Sequence, residues 1–252
     1  RAGVNEASGE LIITTDADCR TGGKWISTIT AFYVDNQPDM IIAPVRLENK
    51  PGFSGGFWEL EFLSLQGVTA GTVMAGNPVM CNGANLAYTK EAYKRHSENL
   101  HTEFASGDDV FLLHSLKREI NSKIVWLSSD DAFITTNQTD SLSSFINQRA
   151  RWISKAKAFN DRYTIIISIV TFVTVFTTLV LLVAGFFSQK FVCVLLASLF
   201  LKSIPDFLIL YETTGTYDKR QLLKWFIPSQ IVYPFYVIIV VCRSLFTEIR
   251  WK

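Results

Sequence analysis

The feature that most constrains this chain is a long segment without charge in its C-terminal third. From Tyr163 to Gln189 the sequence has no Asp, Glu, Lys or Arg, and a helix needs about 20 apolar residues to cross a bilayer. Two more apolar segments follow, and the last is short and holds two prolines. The sequence therefore predicts a globular part over residues 1–160 and a membrane region over 161–252, with three apolar helices at 163–187, 191–211 and 226–242.

Basic residues flank the apolar segments and predict their orientation. They precede the first segment and lie between the second and the third: Lys155, Lys157, Arg162, Lys219, Arg220 and Lys224. Because loops rich in Lys and Arg stay in the cytoplasm, we expect a multi-pass protein of the inner or cell membrane with a cytoplasmic globular part. Basic residues also follow the third segment, which therefore either crosses the membrane or lies partly in the interface.

Composition excludes one class of partner and indicates the compartment. The formal net charge is +1 and no basic run with interleaved aromatic residues occurs, so nucleic acid is not an expected partner. The cysteines form no CxxC pair, which favours a reducing, cytoplasmic setting. The chain starts at Arg1 without an initiator Met and ends at Lys252, so we expect it to be a piece of a longer protein.

Short apolar runs predict an α/β arrangement in the globular part. Residues 11–15 form an apolar and β-branched run typical of a strand buried on both faces. Residues 40–45 predict a second strand, with Pro44 near an edge. A Gly-rich turn at 52–56 precedes a predicted helix at 57–65. The other predicted elements are an interrupted strand at 79–88, a helix at 109–117, strands at 123–127 and 132–136, and an amphipathic helix at 141–157.

The first polar motif is Asp16-Ala17-Asp18, which directly follows the first predicted strand, where ligands bind in open α/β sheets. A spacing of two lets both carboxylates reach one hard cation, and Mg²⁺ or Mn²⁺ accepts such oxygens while keeping positions for phosphate oxygens. The cation would neutralise the charge on a departing nucleotide diphosphate. The alternative is a solvated turn. Cys19 is expected to be a packing residue, because a thiolate does not suit these metals.

The second motif is Gly107-Asp108-Asp109, at a predicted junction between a loop and a helix. One interpretation is an N-cap, since Asp is favoured there and gains from the helix dipole. The other makes one carboxylate the general base that removes the proton from an attacking hydroxyl. Asp109 is the candidate base, and Asp108 either orients the acceptor or caps the helix.

The third motif is Gln148-Arg149-Ala150-Arg151-Trp152. On a helix, residues 148, 151 and 152 share one face because they are three and four positions apart. Arg151 can then fork onto a diphosphate, Gln148 can bond beside it and Trp152 can stack on a sugar ring. The alternative is a basic helix lying at the membrane interface. Arg149 points elsewhere in this interpretation and is expected to be a surface or lipid-headgroup residue.

Three further polar features carry weaker predictions. Asn82 and Asn85 can line an acceptor pocket, although Asn-Gly is also a common turn signal. Lys202 and Asp206, four positions apart in an apolar segment, are either functional or a self-satisfying ion pair. The histidines at 96, 101 and 114 show no metal-binding spacing, and His114 is expected on a helix surface.

Together the motifs resemble those of the membrane-bound, processive-type family 2 glycosyltransferases, the group that includes cellulose and hyaluronan synthases. The matching segments are residues 5–10 (NEASGE), 13–18 (ITTDAD), 82–88 (NGANLAY), 106–109 (SGDD) and 148–152 (QRARW). The resemblance covers nearly the whole chain and implies a GT-A fold, a Rossmann-like α/β domain, followed by transmembrane helices. The strands that bind the nucleotide base in that family have no counterpart here, so we expect an N-terminally truncated domain. The second motif has Asp-Asp where many members have Glu-Asp.

The resemblance also implies a reaction and a set of roles. The reaction is inverting transfer of a sugar from a nucleotide-diphosphate donor to a polysaccharide or a lipid-linked acceptor at the cytoplasmic membrane face, next to membrane lipids. Asp16 and Asp18 would hold Mg²⁺ or Mn²⁺, and Asp109 would be the base. The remaining expected contacts are Gln148 and Arg151 to the donor, and Trp152, Asp108, Asn82 and Asn85 to the acceptor.

A second interpretation is a catalytically inactive, membrane-anchored sugar-binding or scaffold protein. The presence of all three motifs argues against it, because drift would erase charged positions. A transporter is not expected, since three membrane segments are too few to enclose a pathway. The sugar, the linkage and a partner subunit stay open.

Overall fold

The computed structural model describes residues 2–99 and 107–246, so that Ser106 and His101 lie outside the described residues. The helices are α1 Ala2–Glu6, α2 Trp25–Asn36, α3 Gly52–Met74, α4 Lys90–His96, α5 Asp108–Lys117, α6 Leu142–Ser154, α7 Arg162–Ala184, α8 Gln189–Thr216 and α9 Phe226–Phe246. The strands are β1 Leu11–Thr14, β2 Arg20–Thr21, β3 Met40–Ile42, β4 Val45–Leu47, β5 Leu86–Thr89, β6 Ile124–Trp126 and β7 Ile134–Thr136.

The chain forms two compact units. The sheet unit comprises Arg1–Glu48, Val68–Asn137 and Ala158–Asp161, and the helical unit comprises Asn49–Gly67, Gln138–Lys157 and Arg162–Lys252. The helical unit thus contains α6 and the first part of α3 in addition to the three long apolar helices.

The sheet unit contains two small mixed sheets. One has the strand order β1-β5-β3-β6, with a parallel pairing only between β3 and β6. The other has the order β2-β7-β4, with β4 parallel to β7. The mixed α/β character was expected. The prediction that the first strand is buried on both faces was wrong, because β1 lies at a sheet edge and its residues are only half-buried.

The predicted strand at 40–45 is two strands in different sheets. β3 ends at Ile42, and β4 begins at Val45 after Ala43 and Pro44. A proline has no backbone N–H to give to a neighbouring strand, so the ladder breaks there. The carbonyl of Pro44 instead accepts a hydrogen bond from the amide of Ile134, 3.3 Å away, and this bond lies next to the β4–β7 pairing.

The main core of the sheet unit lies between the four-stranded sheet and its helices. Its buried members are Val4, Met40, Ile42, Val73, Leu86, Tyr88, Ala92, Tyr93, Phe111, Leu112, Leu113 and Leu116. Helix α5 contributes the last four, and its N-cap is Gly107, whose φ of 113° is accessible to glycine at little cost. The helix therefore begins one residue before its predicted start.

His114 of α5 is buried, with 4% of its surface exposed, so its predicted position on a helix surface was wrong. Its Nε2 lies 3.1 Å from the carbonyl oxygen of Val79, and its ring meets Phe159 edge-on at 5.2 Å. Burial lowers the pKa of His114, because the charged form loses its hydration. The side chain is neutral in the folded protein at pH 7.

In the helical unit, α3 begins at Gly52, so the predicted turn at 52–56 is the first part of a helix. A close approach explains the glycines there. A Cβ on Gly56 would lie 2.2 Å from the ring of Trp225, and a Cβ on Gly55 would lie 2.4 Å from the Lys50 carbonyl oxygen. Close packing therefore explains Gly55 and Gly56, whereas Gly52 begins the helix with a positive φ of 83°.

Three apolar segments of the described chain are long enough to cross a membrane: Arg162–Ala184, Gln189–Thr216 and Arg220–Phe246. The third includes a 3₁₀ turn at Arg220–Trp225 before α9. Most of their large apolar side chains are exposed, including Ile166, Val173 and Leu208, as expected of surfaces that face lipid. The chain is therefore a membrane protein. The third segment is longer than predicted.

The predicted pair Lys202 and Asp206 on α8 does form an ion pair. Gln230 of α9 closes the cluster, because its amide oxygen accepts from Lys202 at 2.9 Å and its nitrogen donates to Asp206 at 3.1 Å. The two charges thus satisfy each other and link two apolar helices.

We predict that His114 makes the stability of the sheet unit dependent on pH. Below the ordinary histidine pKa of 6.5, the unfolded chain binds a proton that the folded chain does not. As the pH falls below this value, the free energy of unfolding should therefore decrease by up to about 1.4 kcal/mol per pH unit. His114→Gln keeps an N–H donor but does not titrate. Thermal unfolding in detergent between pH 7.5 and 5.5 should show a shallower pH dependence for the variant. Parallel curves for the two proteins would contradict this.

Candidate active site

The Asp16-Ala17-Asp18 motif follows Thr15, one residue past the end of β1 at Thr14. Both carboxylates are exposed, and the amide of Cys19 donates to the carbonyl of Asp16 at 3.1 Å, which closes a turn. Thr136 of β7 lies near the second carboxylate, with 3.4 Å between its hydroxyl and Oδ2 of Asp18. The turn therefore presents two carboxylates to solvent at the edge of the sheet.

The residues at this turn fit a hard divalent cation. The ligand atoms of Asp16, Asp18 and Cys19 all lie within 4.8 Å of one another. Burial raises the pKa of the Cys19 thiol, which favours the protonated form. The oxygen donors are therefore the two carboxylates, and they match the preference of Mg²⁺ and Mn²⁺.

The peptide groups of Gly83 connect this strand to the second motif. The hydroxyl of Thr14, the last residue of β1, donates to the Gly83 carbonyl at 2.8 Å and also lies 3.1 Å from the Leu86 carbonyl. The amide of Gly83 donates to Oδ2 of Asp109 at 2.9 Å. The end of β1 and the carboxylate of Asp109 are thus anchored on the same residue.

The two carboxylates of the second motif have different surroundings. Asp109 is half-buried, and its other oxygen accepts from the amide of Val110 at 2.9 Å. Asp108 is exposed, and Gly107 rather than either aspartate is the N-cap of α5. Two backbone amides therefore hold Asp109 in one orientation, and a carboxylate has further lone pairs that can accept a proton donor.

The turn before β5 separates the roles of its two asparagines. Asn82 is half-buried, and its side-chain oxygen accepts from the amide of Ala84 at 3.1 Å. Asn85 is wholly buried: its oxygen accepts from the indole of Trp25 at 3.0 Å, and its nitrogen donates to two backbone carbonyls, those of Pro44 and Ala132. Its amide is used in joining segments of the unit, so we assign Asn85 a structural role rather than an acceptor contact.

The third motif lies on α6 of the helical unit, where Ser141 caps the helix by accepting from the Ser144 amide. Gln148, Arg151 and Trp152 are all half-buried. They share one face by their spacing.

The prediction for Arg149 was wrong. Only 4% of its surface is exposed, and its guanidinium binds the carboxylate of Glu61 on α3 through three contacts of 2.6 to 3.0 Å. The part of α6 that carries Arg149 packs against α3 rather than against solvent or lipid headgroups.

The structure thus groups the predicted residues by unit. Six belong to the sheet unit: Asp16, Asp18, Asn82, Asn85, Asp108 and Asp109. The other three, Gln148, Arg151 and Trp152, belong to the helical unit. Sequence reasoning missed the residues that hold these groups in place, namely Thr14, Gly83, Glu61 and Arg149. Gly83 was visible only as part of an Asn-Gly turn signal.

The model of glycosyl transferase family 21 matches residues 1–252 of the chain. The chain belongs to glycosyl transferase family 21. It is therefore a glycosyltransferase, and the α/β unit described above is consistent with a GT-A-like fold. The match supports a glycosyltransferase family but not the cellulose and hyaluronan synthase group that the motifs resemble. No curated protein sequence matches this glycosyltransferase.

We predict that Thr14 is needed to position the Gly83 turn of this glycosyltransferase. Thr14→Val keeps the shape of the side chain but removes the hydroxyl. Losing such a bond costs about 1 kcal/mol of stability, and displacement of Asp109 should lower the transfer rate roughly tenfold. Thr14→Ser retains the hydroxyl and should stay close to the wild type. Initial rates of donor turnover in membranes, normalised to protein amount, provide the measurement. Equal rates for the Val and Ser variants would contradict this role.

Proposed function

We propose that this glycosyltransferase catalyses inverting transfer of a sugar from a nucleotide-diphosphate donor to an acceptor hydroxyl at the cytoplasmic face of a membrane. The acceptor is a growing polysaccharide or a lipid-linked molecule. The observation that carries the proposal is the anchoring of the Asp109 carboxylate and of the end of β1 on Gly83. The candidate base and the strand that leads into the candidate metal turn are thereby attached to one residue.

Asp109 is the proposed general base. Its carboxylate takes the proton of the acceptor hydroxyl while that oxygen forms a bond to the anomeric carbon. The bond from the anomeric carbon to the diphosphate oxygen breaks on the opposite side, and the diphosphate leaves with the electron pair. The amides of Gly83 and Val110 hold the carboxylate still during this step, which limits the entropy lost on reaching the reactive geometry.

Asp16 and Asp18 are the proposed ligands of Mg²⁺ or Mn²⁺. Their exposure and their position after β1 suit a site that shares its cation with a donor entering from solvent. When bound, the cation offsets negative charge on the diphosphate leaving group.

The α6 motif supplies the other proposed contacts. Arg151 binds the diphosphate through its planar guanidinium, and Gln148 donates a hydrogen bond beside it. Trp152 offers an aromatic face on which an acceptor sugar can stack. In the sheet unit, the exposed Asp108 and the half-buried Asn82 are the remaining candidates for acceptor contact.

The proposed orientation has the loop between α8 and α9 in the cytoplasm. Lys219 in this loop is buried and forms an ion pair of 2.8 Å with Glu59 of α3 and a hydrogen bond with Asn49. The loop and the first part of α3 therefore lie on the same side of the membrane. The basic residues around α7 and in this loop favour the cytoplasmic side.

Asp109→Asn should abolish transfer while leaving donor binding intact. The amide keeps an oxygen that can accept from Gly83, but it cannot take a proton, so kcat should fall by roughly 10²- to 10⁴-fold. Asp108→Asn, the same change one residue earlier, should act mainly on the acceptor KM. Turnover and donor binding should be measured in parallel on full-length protein. An active Asp109→Asn variant would contradict the assignment of the base.

Metal removal tests the carboxylate pair. Across a panel of nucleotide sugars, EDTA should stop the release of nucleotide diphosphate from one donor, and Mn²⁺ or Mg²⁺ should restore it. Asp16→Asn and Asp18→Asn should each raise the metal concentration for half-maximal turnover by about tenfold or more. Asp35→Asn, which changes another exposed carboxylate of the sheet unit, should have no such effect.

The same panel separates the alternatives. Turnover that persists without metal would contradict the role of Asp16 and Asp18. Folded protein that turns over no donor, with either oligosaccharide or lipid acceptors present, would favour the scaffold interpretation.

A further inference from the structure

We propose that Arg149, the second residue of the α6 motif, is a positioning residue that holds Gln148 and Trp152 in their working orientation. This inference rests on the proposed function of the motif. It adds a residue for which neither the spacing nor the family assignment predicts a role. Its partner is Glu61, which lies outside the motif on α3.

The first observation is the way in which Arg149 is held. Its Nε lies 3.0 and 2.9 Å from the two oxygens of Glu61, and one terminal nitrogen lies 2.6 Å from Oε2 of the same carboxylate. Such a forked pair fixes the plane of the guanidinium as well as its position. Both side chains are almost fully buried, with 5% and 7% exposed. Arg149 therefore has a single, well-defined orientation.

The second observation is what the free parts of the guanidinium touch. The other terminal nitrogen donates to Oε1 of Gln148 at 2.6 Å. The plane of the guanidinium lies over the ring of Trp152, with its carbon 4.2 Å from the ring centroid. Arg149 thus contacts two of the three motif side chains, one through an oriented hydrogen bond and one through a cation–π contact.

The hydrogen bond from Arg149 to Gln148 determines which end of the Gln148 amide is available. Because the Gln148 oxygen accepts from Arg149, the amide nitrogen is the end left to point elsewhere, and this nitrogen is a hydrogen-bond donor. A diphosphate offers only acceptors when it is ionised. Arg149 therefore orients Gln148 so that the N–H groups of the Gln148 amide are available for the anionic nucleotide-sugar substrate.

The support for Glu61 comes from a third element. The hydroxyl of Tyr236 on α9 donates to Oε1 of Glu61 at 2.9 Å. Phe145 covers the ion pair from another side. The centre of its ring lies 4.7 Å from the Arg149 guanidinium carbon and 5.3 Å from the centre of the Tyr236 ring, on which it stacks. The ion pair is thus enclosed by α3, α6 and α9 within the helical unit.

Stability alone does not account for this arrangement. Removing two charges from water costs about as much as their attraction returns, and well-packed apolar side chains of similar volume often stabilise a protein equally well. Breaking only one partner is different, because it leaves a buried charge without compensation. The pair must therefore be replaced as a whole to separate positioning from stability.

The test is a set of variants of the full chain in detergent or membranes. The triple variant Glu61→Leu, Arg149→Met, Tyr236→Phe removes the buried polar cluster together. Arg149→Lys keeps a positive charge beside Glu61, but an ammonium cannot fork onto the carboxylate, bind Gln148 and stack on Trp152 at once. The matched control is Glu59→Leu with Lys219→Met, which removes another buried ion pair of the helical unit.

We expect the triple variant and Arg149→Lys to unfold near the wild-type temperature but to raise the donor KM by about tenfold or more, with a lower kcat. The control pair should keep the wild-type donor KM. Wild-type kinetics in Arg149→Lys or in the folded triple variant would overturn the proposal. If the triple variant fails to fold, Arg149→Lys still decides.

A second measurement does not depend on turnover. Protein labelled with 5-fluorotryptophan gives a ¹⁹F resonance for position 152, which Trp152→Phe identifies. This resonance should move in Arg149→Lys and remain in place in the Glu59 and Lys219 control. An unmoved resonance would overturn the positioning role. A wild-type protein that turns over no donor would instead overturn the proposed function, and the ¹⁹F result would still report on Arg149.

Discussion

The constraint on which the helical unit depends is that polar groups among its apolar helices must be satisfied by one another. Lipid offers no hydrogen-bond partner, so an unpaired charge at such a place is costly. Two clusters of described residues illustrate this requirement. Lys202 pairs with Asp206 and both contact Gln230, and Arg149 pairs with Glu61. Each cluster links different helices, so charges that look unfavourable in the sequence are paired where these helices meet.

The same clusters show where prediction from sequence ends. The long apolar helices follow from length and hydropathy, and α7 begins within one residue of its predicted start. The spacing of the motif predicted that Arg149 points away from Gln148 and Trp152, but its guanidinium contacts both. The helical period also cannot reveal what covers Arg149, because Glu61 is 88 residues earlier in the chain. Helices α2 and α4 were not predicted, and the close approach of Gly56 to Trp225 joins residues far apart in the sequence.

In the sheet unit, the sequence revealed the order of the motifs but not the residues that hold them in place. Asp16, Asp18 and Asp109 could be selected because carboxylates after a strand or at a helix start suit metal binding and base catalysis. Their connection through Gly83 joins residues that are 69 and 26 positions apart, and a backbone carbonyl and amide carry no signature in a sequence. The surroundings of Asn85 were equally hidden in the sequence. Its residue type fits an acceptor pocket, but complete burial and three hydrogen bonds assign it to the scaffold.

The two units solve one problem in different ways. A side chain that must act on a substrate loses efficiency if it samples many orientations, and a residue outside the motif has to restrain it. At Asp109 the restraint comes from two backbone amides, those of Gly83 and Val110, which donate hydrogen bonds to the carboxylate. At Gln148 and Trp152 it is a buried arginine, whose own position depends on a carboxylate and a tyrosine hydroxyl in other helices. The contacts of the α6 motif thus extend to α3 and α9, whereas those of Asp109 stay near Gly83 and Val110. In both units the short motif is visible in the sequence, and the residue that anchors it is not.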